Sequence, residues 1–219
     1  MSNVQLWQQM KLTGLDDMVG NETALEELKK TPNGLILLEG PMGCGKTSLA
    51  LALCKERTGI QLEENRCVDN LGRIYAQHCH AMDFDLGSAL EPKHFFHYRY
   101  PVFIIVDEAQ ELTDKRQQSR IKTMPAREEL TIVFCTTNPE RLDDAVIDRC
   151  TKVRLKPMDA RQVPVMVKKA CAHVGIPYNV DIVKACNAGS IFRPRAIIQA
   201  VQAVAAGKSI VEAVSGQKK

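Results

Sequence analysis

No stretch of this 219-residue chain approaches the roughly 18 consecutive apolar residues that a membrane-spanning helix needs. No membrane partner is therefore expected. The N-terminus, Met1 to Trp7, has no basic segment followed by an apolar run, so it does not read as a secretory signal. Charge of one sign is also missing. With 29 basic against 26 acidic residues the net charge is +3, too small to indicate a nucleic-acid partner. It does not exclude one either, because a local basic face is what counts. No internal repeat or long low-complexity segment occurs. None of the eight cysteines forms a C-x₂-C pair, and Cys54, Cys135 and Cys171 lie inside apolar segments as small buried hydrophobes do. Cys67 with His78, Cys79 and His80 offers metal-ligand chemistry, but three adjacent residues do not readily face one ion. Zinc is not expected.

What the chain does have is Gly40-Pro41-Met42-Gly43-Cys44-Gly45-Lys46-Thr47, which fits G-x-x-x-x-G-K-[ST], the phosphate-binding P-loop. An apolar run, Leu35 to Leu38, precedes it, and a helical pattern from Ser48 to Leu53 follows. That strand–loop–helix setting is what the motif requires. The glycines let backbone N–H groups turn inward around a phosphate chain, and the helix N-terminus adds partial positive charge. Lys46 is placed to reach the terminal phosphates, and Thr47 to ligate Mg²⁺.

Further β-branched or apolar runs, Val102–Val106, Thr131–Cys135 and Lys152–Leu155, alternate with helical patterns. This spacing predicts βαβ units and a parallel sheet flanked by helices. Residues 59–100 read as less regular. After Lys156-Pro157 the texture becomes wholly helical, with segments at 159–174, 179–187, 195–206 and 208–214. The expected organisation is an α/β nucleotide-binding domain, 1–156, followed by a small all-helical domain, 157–219.

The run 102–106 ends in Asp107-Glu108, where a P-loop protein carries its Walker B acids. Asp107 is the expected Mg²⁺ partner and Glu108 the group that orients or deprotonates the attacking water. The run 131–135 leads to Thr136-Thr137-Asn138 at the same sheet edge as the P-loop. Thr136, expected as the first residue beyond the strand, is the candidate to contact the terminal phosphate or the water.

From Cys135 through Thr136-Thr137-Asn138-Pro139-Glu140-Arg141-Leu142 to Asp148-Arg149-Cys150, the chain resembles the AAA+ ATPases. It is most similar to the ATPase subunits of DNA sliding-clamp loaders, both the bacterial gamma/tau-like and the phage or archaeal small subunits. Asp107-Glu108-Ala109-Gln110-Glu111-Leu112 looks like their Walker B segment. Leu15 to Glu22 is similar to their adenine-side N-terminal box, which adds Val19 to the nucleotide-binding set. The resemblance covers residues 14–200. Asp148 stands where that family usually has Ser, and no third, collar-forming helical domain follows the lid segment.

The resemblance implies that residues 157–219 form a lid and that Arg149 is an arginine finger acting on ATP held by a neighbouring subunit. A guanidinium suits this because it neutralises charge spread over the phosphoryl oxygens. It also implies that Arg195 or Arg193, at the start of a lid helix, contacts nucleotide, and Pro194 suits the first turn of that helix. Ser48 completes the nucleotide-binding set. The basic segment carrying Lys115, Arg116 and Arg120 faces DNA in such proteins, and Arg116 and Arg120 share a helix face. The resemblance thus implies a Mg-dependent ATPase of the cytoplasm, or of the host cytoplasm if phage-encoded. It would work with other AAA+ subunits, with DNA, and with a sliding clamp or other replication protein. A helicase-loader or transposition-type regulator that assembles on DNA is the alternative.

Overall fold

The structure is a computed structural model that describes residues 6, 10, 12–62, 66–68, 74–86, 102–124 and 129–217. It divides into two compact units. One comprises residues 23–40 and 46–155, the other residues 1–22, 41–45 and 156–219.

The first unit is built on a sheet of order β2-β3-β4-β5-β1-β6. The strands are β1 (Leu35–Glu39), β2 (Arg66–Val68), β3 (Ile74–His80), β4 (Val102–Asp107), β5 (Leu130–Thr136) and β6 (Thr151–Arg154). All neighbouring pairs are parallel except the edge pair β2–β3. The centre of the sheet is β4, β5 and β1, whose near-continuous Val, Ile, Leu and Phe content suits strands covered on both faces. Five parallel strands flanked by helices are the expected fold class.

Alternation along these strands sorts the core into two layers. Leu37, Ile104, Val106, Ile132 and Phe134 join Ile121, Leu142 and Val146 in one buried cluster. Ile121 comes from α3 (Lys115–Thr123) and Val146 from the short α4 (Asp144–Ile147). Phe84 meets Phe134 edge-on at 6.4 Å in this layer, and burial of each such ring stabilises the fold by about 1.5–3 kcal/mol. On the other face α2 (Lys46–Thr58) packs against β1, β4 and β5. The helix α1 (Glu22–Lys30) carries the buried Leu25 and Leu28.

The strand β3 is the element that hydrophobic runs did not foresee. Ile74-Tyr75-Ala76-Gln77-His78-Cys79-His80 has too many polar residues to read as a core strand, yet it pairs in register with β4. Its polar end lies at the carboxyl edge of the sheet, where side chains serve a site rather than the core.

The second unit is a helical bundle: α5 (Val163–Val174), α6 (Val180–Ala188), α7 (Pro194–Ala205) and α8 (Ile210–Ser215). Val167, Ile182, Ile197, Val201 and Val214 form its core, which Leu6 and Val19 from the N-terminal segment also enter. Gly175 closes α5 with φ 73°, a left-handed cap that favours glycine. Ser209 and Glu212 form a reciprocal capping box on α8. Asn21 is tied to the backbone of Lys156 through both its amide oxygen and its amide nitrogen.

Candidate functional site

Because β1, β4 and β5 are parallel, their carboxyl ends share one edge of the sheet. There β1 opens into the P-loop, β4 ends at Asp107-Glu108 and β5 ends at Thr136-Thr137. Lys46 starts α2, is buried, and donates from Nζ to the Gly40 carbonyl at 2.8 Å. Thr47, half-buried beside it, donates from Oγ1 to Asp107 Oδ2 at 2.9 Å. The Glu108 N–H donates to the other Asp107 oxygen at 3.0 Å.

His78 on β3, weighed in the sequence only as a metal ligand, is the addition to this site. Its Nε2 lies 3.6 Å from Asp107 Oδ2, and both side chains are about one-quarter exposed. Burial pushes the Asp107 carboxyl up, but His78, the Thr47 hydroxyl and the Glu108 N–H together hold it below the usual carboxylate value. Asp107 is thus an ionised acid in a partly desolvated corner. The signal for β3 was length. Some 40 residues between α2 and β4 are too many for a plain connection inside a compact unit.

Glu108 sits in the left-handed region at φ 50° and leads into the turn Ala109–Glu111. Its carboxylate accepts from Gln110 Nε2. Gln110 Oε1 in turn accepts from the Thr136 hydroxyl at 2.7 Å and from the Thr137 N–H at 3.2 Å. Thr136 is the last residue of β5, not the first beyond it, and is fully buried. Its oxygen also accepts the Asn138 N–H at 3.1 Å. The parallel ladder extends one residue further than the apolar run because the hydroxyl finds partners inside the fold. Thr136 therefore shapes the strand end from within.

Arg149 lies exposed in the turn after α4, and its guanidinium donates to the Met124 carbonyl at the C-cap of α3. Asp143 N-caps α4 and accepts Lys122 Nζ at 2.6 Å. Lys115, Arg116 and Arg120 are exposed on α3, and Arg120 also approaches Asp85 at 3.9 Å.

In the helical unit, the P-loop residues Met42 and Gly43 line a cavity of about 160 Å³ together with Arg193, Arg195, Ala196 and Gln199. Gly43 has φ 79°, and a Cβ added there would stand 3.4 Å from the Arg195 Cβ. Arg193 is the N-cap of α7 and donates to the Gln217 carbonyl at 3.2 Å. Both arginines suggested by the sequence therefore reach one cavity. Pro41 is exposed, Cys44 buried, and Gly45 and Ser48 half-buried. Val19 is part of the apolar core of this unit. His78 and Cys79 are on opposite faces of β3 by strand alternation, and the zinc question at Cys67 involves a side chain outside the described residues. His80 lies near Glu111, at 3.8 Å.

A profile of the ATPase family associated with various cellular activities (AAA) matches residues 36–158, more than half of the chain. The chain belongs to the AAA ATPase family. This AAA chain is 26% identical over 227 residues to the replication factor C large subunit of Methanosarcina mazei, covering 97% of this chain and 35% of that protein. It is 31% identical over 160 residues to replication factor C subunit 2 of Saccharomyces cerevisiae, covering 67% of this chain and 45% of that one. It thus spans less than half the length of both curated relatives. Among solved structures, the RuvB Holliday junction branch migration motor of Thermotoga maritima superposes with a TM-score of 0.67 at 16% identity, over 94% of this chain and 71% of that one. At that identity the likeness is one of fold.

Proposed function

We propose that this AAA chain binds ATP with Mg²⁺ and hydrolyses it as one subunit of an oligomer that acts on DNA, in the manner of a clamp-loader ATPase in replication. The observation that carries the reading is the pairing of Thr47 with Asp107 beside a buried Lys46, the constellation a P-loop ATPase needs. The similarity to replication factor C subunits supports the choice of role. On this reading the sheet unit is the nucleotide-binding domain and the helical unit the lid.

A hydroxyl and an ionised carboxylate 2.9 Å apart are hard oxygen donors of the kind Mg²⁺ prefers, so the residues fit that ion. Thr47 and Asp107 would hold it, and it would neutralise charge on the phosphates. The N–H groups of Met42 to Thr47 at the start of α2 cradle the phosphate chain, and Lys46 turns from the Gly40 carbonyl toward the terminal phosphates. Glu108 accepts the proton of the attacking water. Thr136 supports this strand end from within, and Arg195 and Arg193 add positive charge from the cavity at Gly43. Arg149, exposed in its turn, completes the site of a neighbouring subunit. The exposed basic residues of α3, Lys115, Arg116 and Arg120, contact DNA phosphates, a contact that positions without reading sequence.

The test is ATP hydrolysis by the assembled protein with and without primed DNA. Stimulation by DNA, abolished in Glu108→Gln, is the expected result. Hydrolysis that ignores both the DNA and the Glu108 substitution would sink the reading. Electron microscopy of the same samples separates a ring or spiral around duplex from a filament along DNA.

A further inference from the structure

We infer that Gln110 is a positioning residue for hydrolysis, holding Glu108 and the end of β5 as one rigid piece. The inference rests on the ATPase reading above and extends it to a residue that no P-loop motif specifies.

Gln110 is buried, 7% exposed, in the turn that follows the Walker B acids. A buried primary amide is costly unless both its ends are satisfied. Here they are, and in opposite directions. Nε2 donates to the Glu108 carboxylate. Oε1 accepts from the Thr136 hydroxyl at 2.7 Å and the Thr137 N–H at 3.2 Å. One side chain therefore ties the proposed base on β4 to the end of the neighbouring strand.

The backbone supplies a reason for the tie. Glu108 has φ 50°, a left-handed conformation that a non-glycine residue holds only when its surroundings impose it. Without an anchor its carboxylate would sample other rotamers, and proton abstraction depends on a base within hydrogen-bond reach of the water. The amide fixes one carboxylate oxygen and leaves the other for that water. Because the same amide caps β5, displacement of Thr137 displaces the base with it. Low local dielectric strengthens such a network when every member is satisfied.

Two substitutions separate this role from plain structural support. Gln110→Glu retains an acceptor for Thr136 and Thr137 but cannot donate to Glu108. Gln110→Met removes all three bonds at similar volume. Both should lose about 10-fold or more in kcat, the range seen when an orienting partner is removed. KM for ATP and the affinity for a fluorescent ATP analogue should change less than about twofold, since the P-loop is untouched. In nucleotide-free protein, hydrogen exchange at the Thr137 amide should stay slow in Gln110→Glu and become fast in Gln110→Met. Placed in a Glu108→Gln background, Gln110→Glu should cost nothing further.

Wild-type kcat in Gln110→Glu, or the same loss in the Glu108→Gln background, overturns the inference while leaving the ATPase reading standing. An assembled wild-type protein without ATPase activity, or a fully active Glu108→Gln, removes that reading and this inference together.

Discussion

The hydroxyl of Thr47, in the first turn of α2, donates to the carboxylate of Asp107 at the end of β4, 2.9 Å away, across 60 residues of sequence. A strand end and a helix start are thereby joined at the point where a magnesium–nucleotide complex is expected.

That contact gives a first prediction, read by calorimetry and nucleotide titration. Thr47→Ala and Asp107→Asn should each weaken Mg–ATP binding relative to metal-free ATP and lower kcat by about 10-fold or more. Asp107 also makes stability depend on pH. Its carboxyl is held below the usual value in the folded state, so its contribution is present above the ordinary carboxylate pKa, about 3.9, and is lost as pH falls through the lower folded value. Thermal melts of wild type and Asp107→Asn should therefore differ near neutrality and converge in strong acid. Curves that stay parallel down to pH 2 would contradict the assignment.

Arg149 supplies the second prediction. It is exposed and donates to the Met124 carbonyl of its own chain, a bond it would exchange for a phosphate held by a neighbour. Arg149→Ala should retain nucleotide affinity and lose about 10³-fold or more in turnover, the scale of an arginine finger. Mixing Arg149→Ala subunits with Lys46→Ala subunits should restore part of the activity, because some interfaces then pair an intact P-loop with an intact finger. No recovery at any mixing ratio would mean that Arg149 acts within its own chain or not at all.

Gly43 carries the third. A side chain at φ 79° costs about 1–2 kcal/mol, and its Cβ would come into van der Waals contact with the Arg195 Cβ at 3.4 Å. Gly43→Ala should lower the melting temperature by several degrees and weaken ATP binding more than Gly14→Ala, where nothing lies within 4 Å of the added Cβ and the φ is extended. Equal behaviour of the two variants in a melt and in nucleotide titration would show that the loop conformation is not under constraint.

Thiol chemistry gives the fourth. Burial pushes the Cys150 thiol up to about 12 and the Cys186 thiol up to about 11. Only the thiolate attacks an alkylating agent, so at pH 8 both remain thiols and should resist iodoacetamide in native protein. Mass spectrometry after a short exposure should find both unmodified, and both labelled after unfolding. Rapid native labelling at Cys150, next to Arg149, would show that the turn opens in solution.

Much of this architecture was legible from local signals. The apolar runs at 35–38, 102–106 and 131–135 became β1, β4 and β5, because continuous β-branched content has one stable use, a strand covered on both faces. The P-loop announced itself because its glycines answer backbone demands that belong to a few consecutive residues. The helices after Pro157 followed from 3.6-residue periodicity and from stops such as Gly175.

What stayed hidden lay in contacts between distant segments. Nothing in Ile74–His80 marks a strand, since its partner β4 supplies the pairing and its polar end serves a site instead of a core. His78 gains meaning only beside Asp107, and Gln110 only between Glu108 and Thr137. Thr136 was placed outside its strand because hydroxyls usually end apolar runs, whereas folding brought an acceptor to it and buried it. The order of residues along the chain was enough for nucleotide chemistry and for an α/β frame, because those depend on short-range geometry. Which side chains would hold the Walker B acids in place depended on long-range packing, which brings His78 beside Asp107 and the Gln110 amide to Thr136 and Thr137.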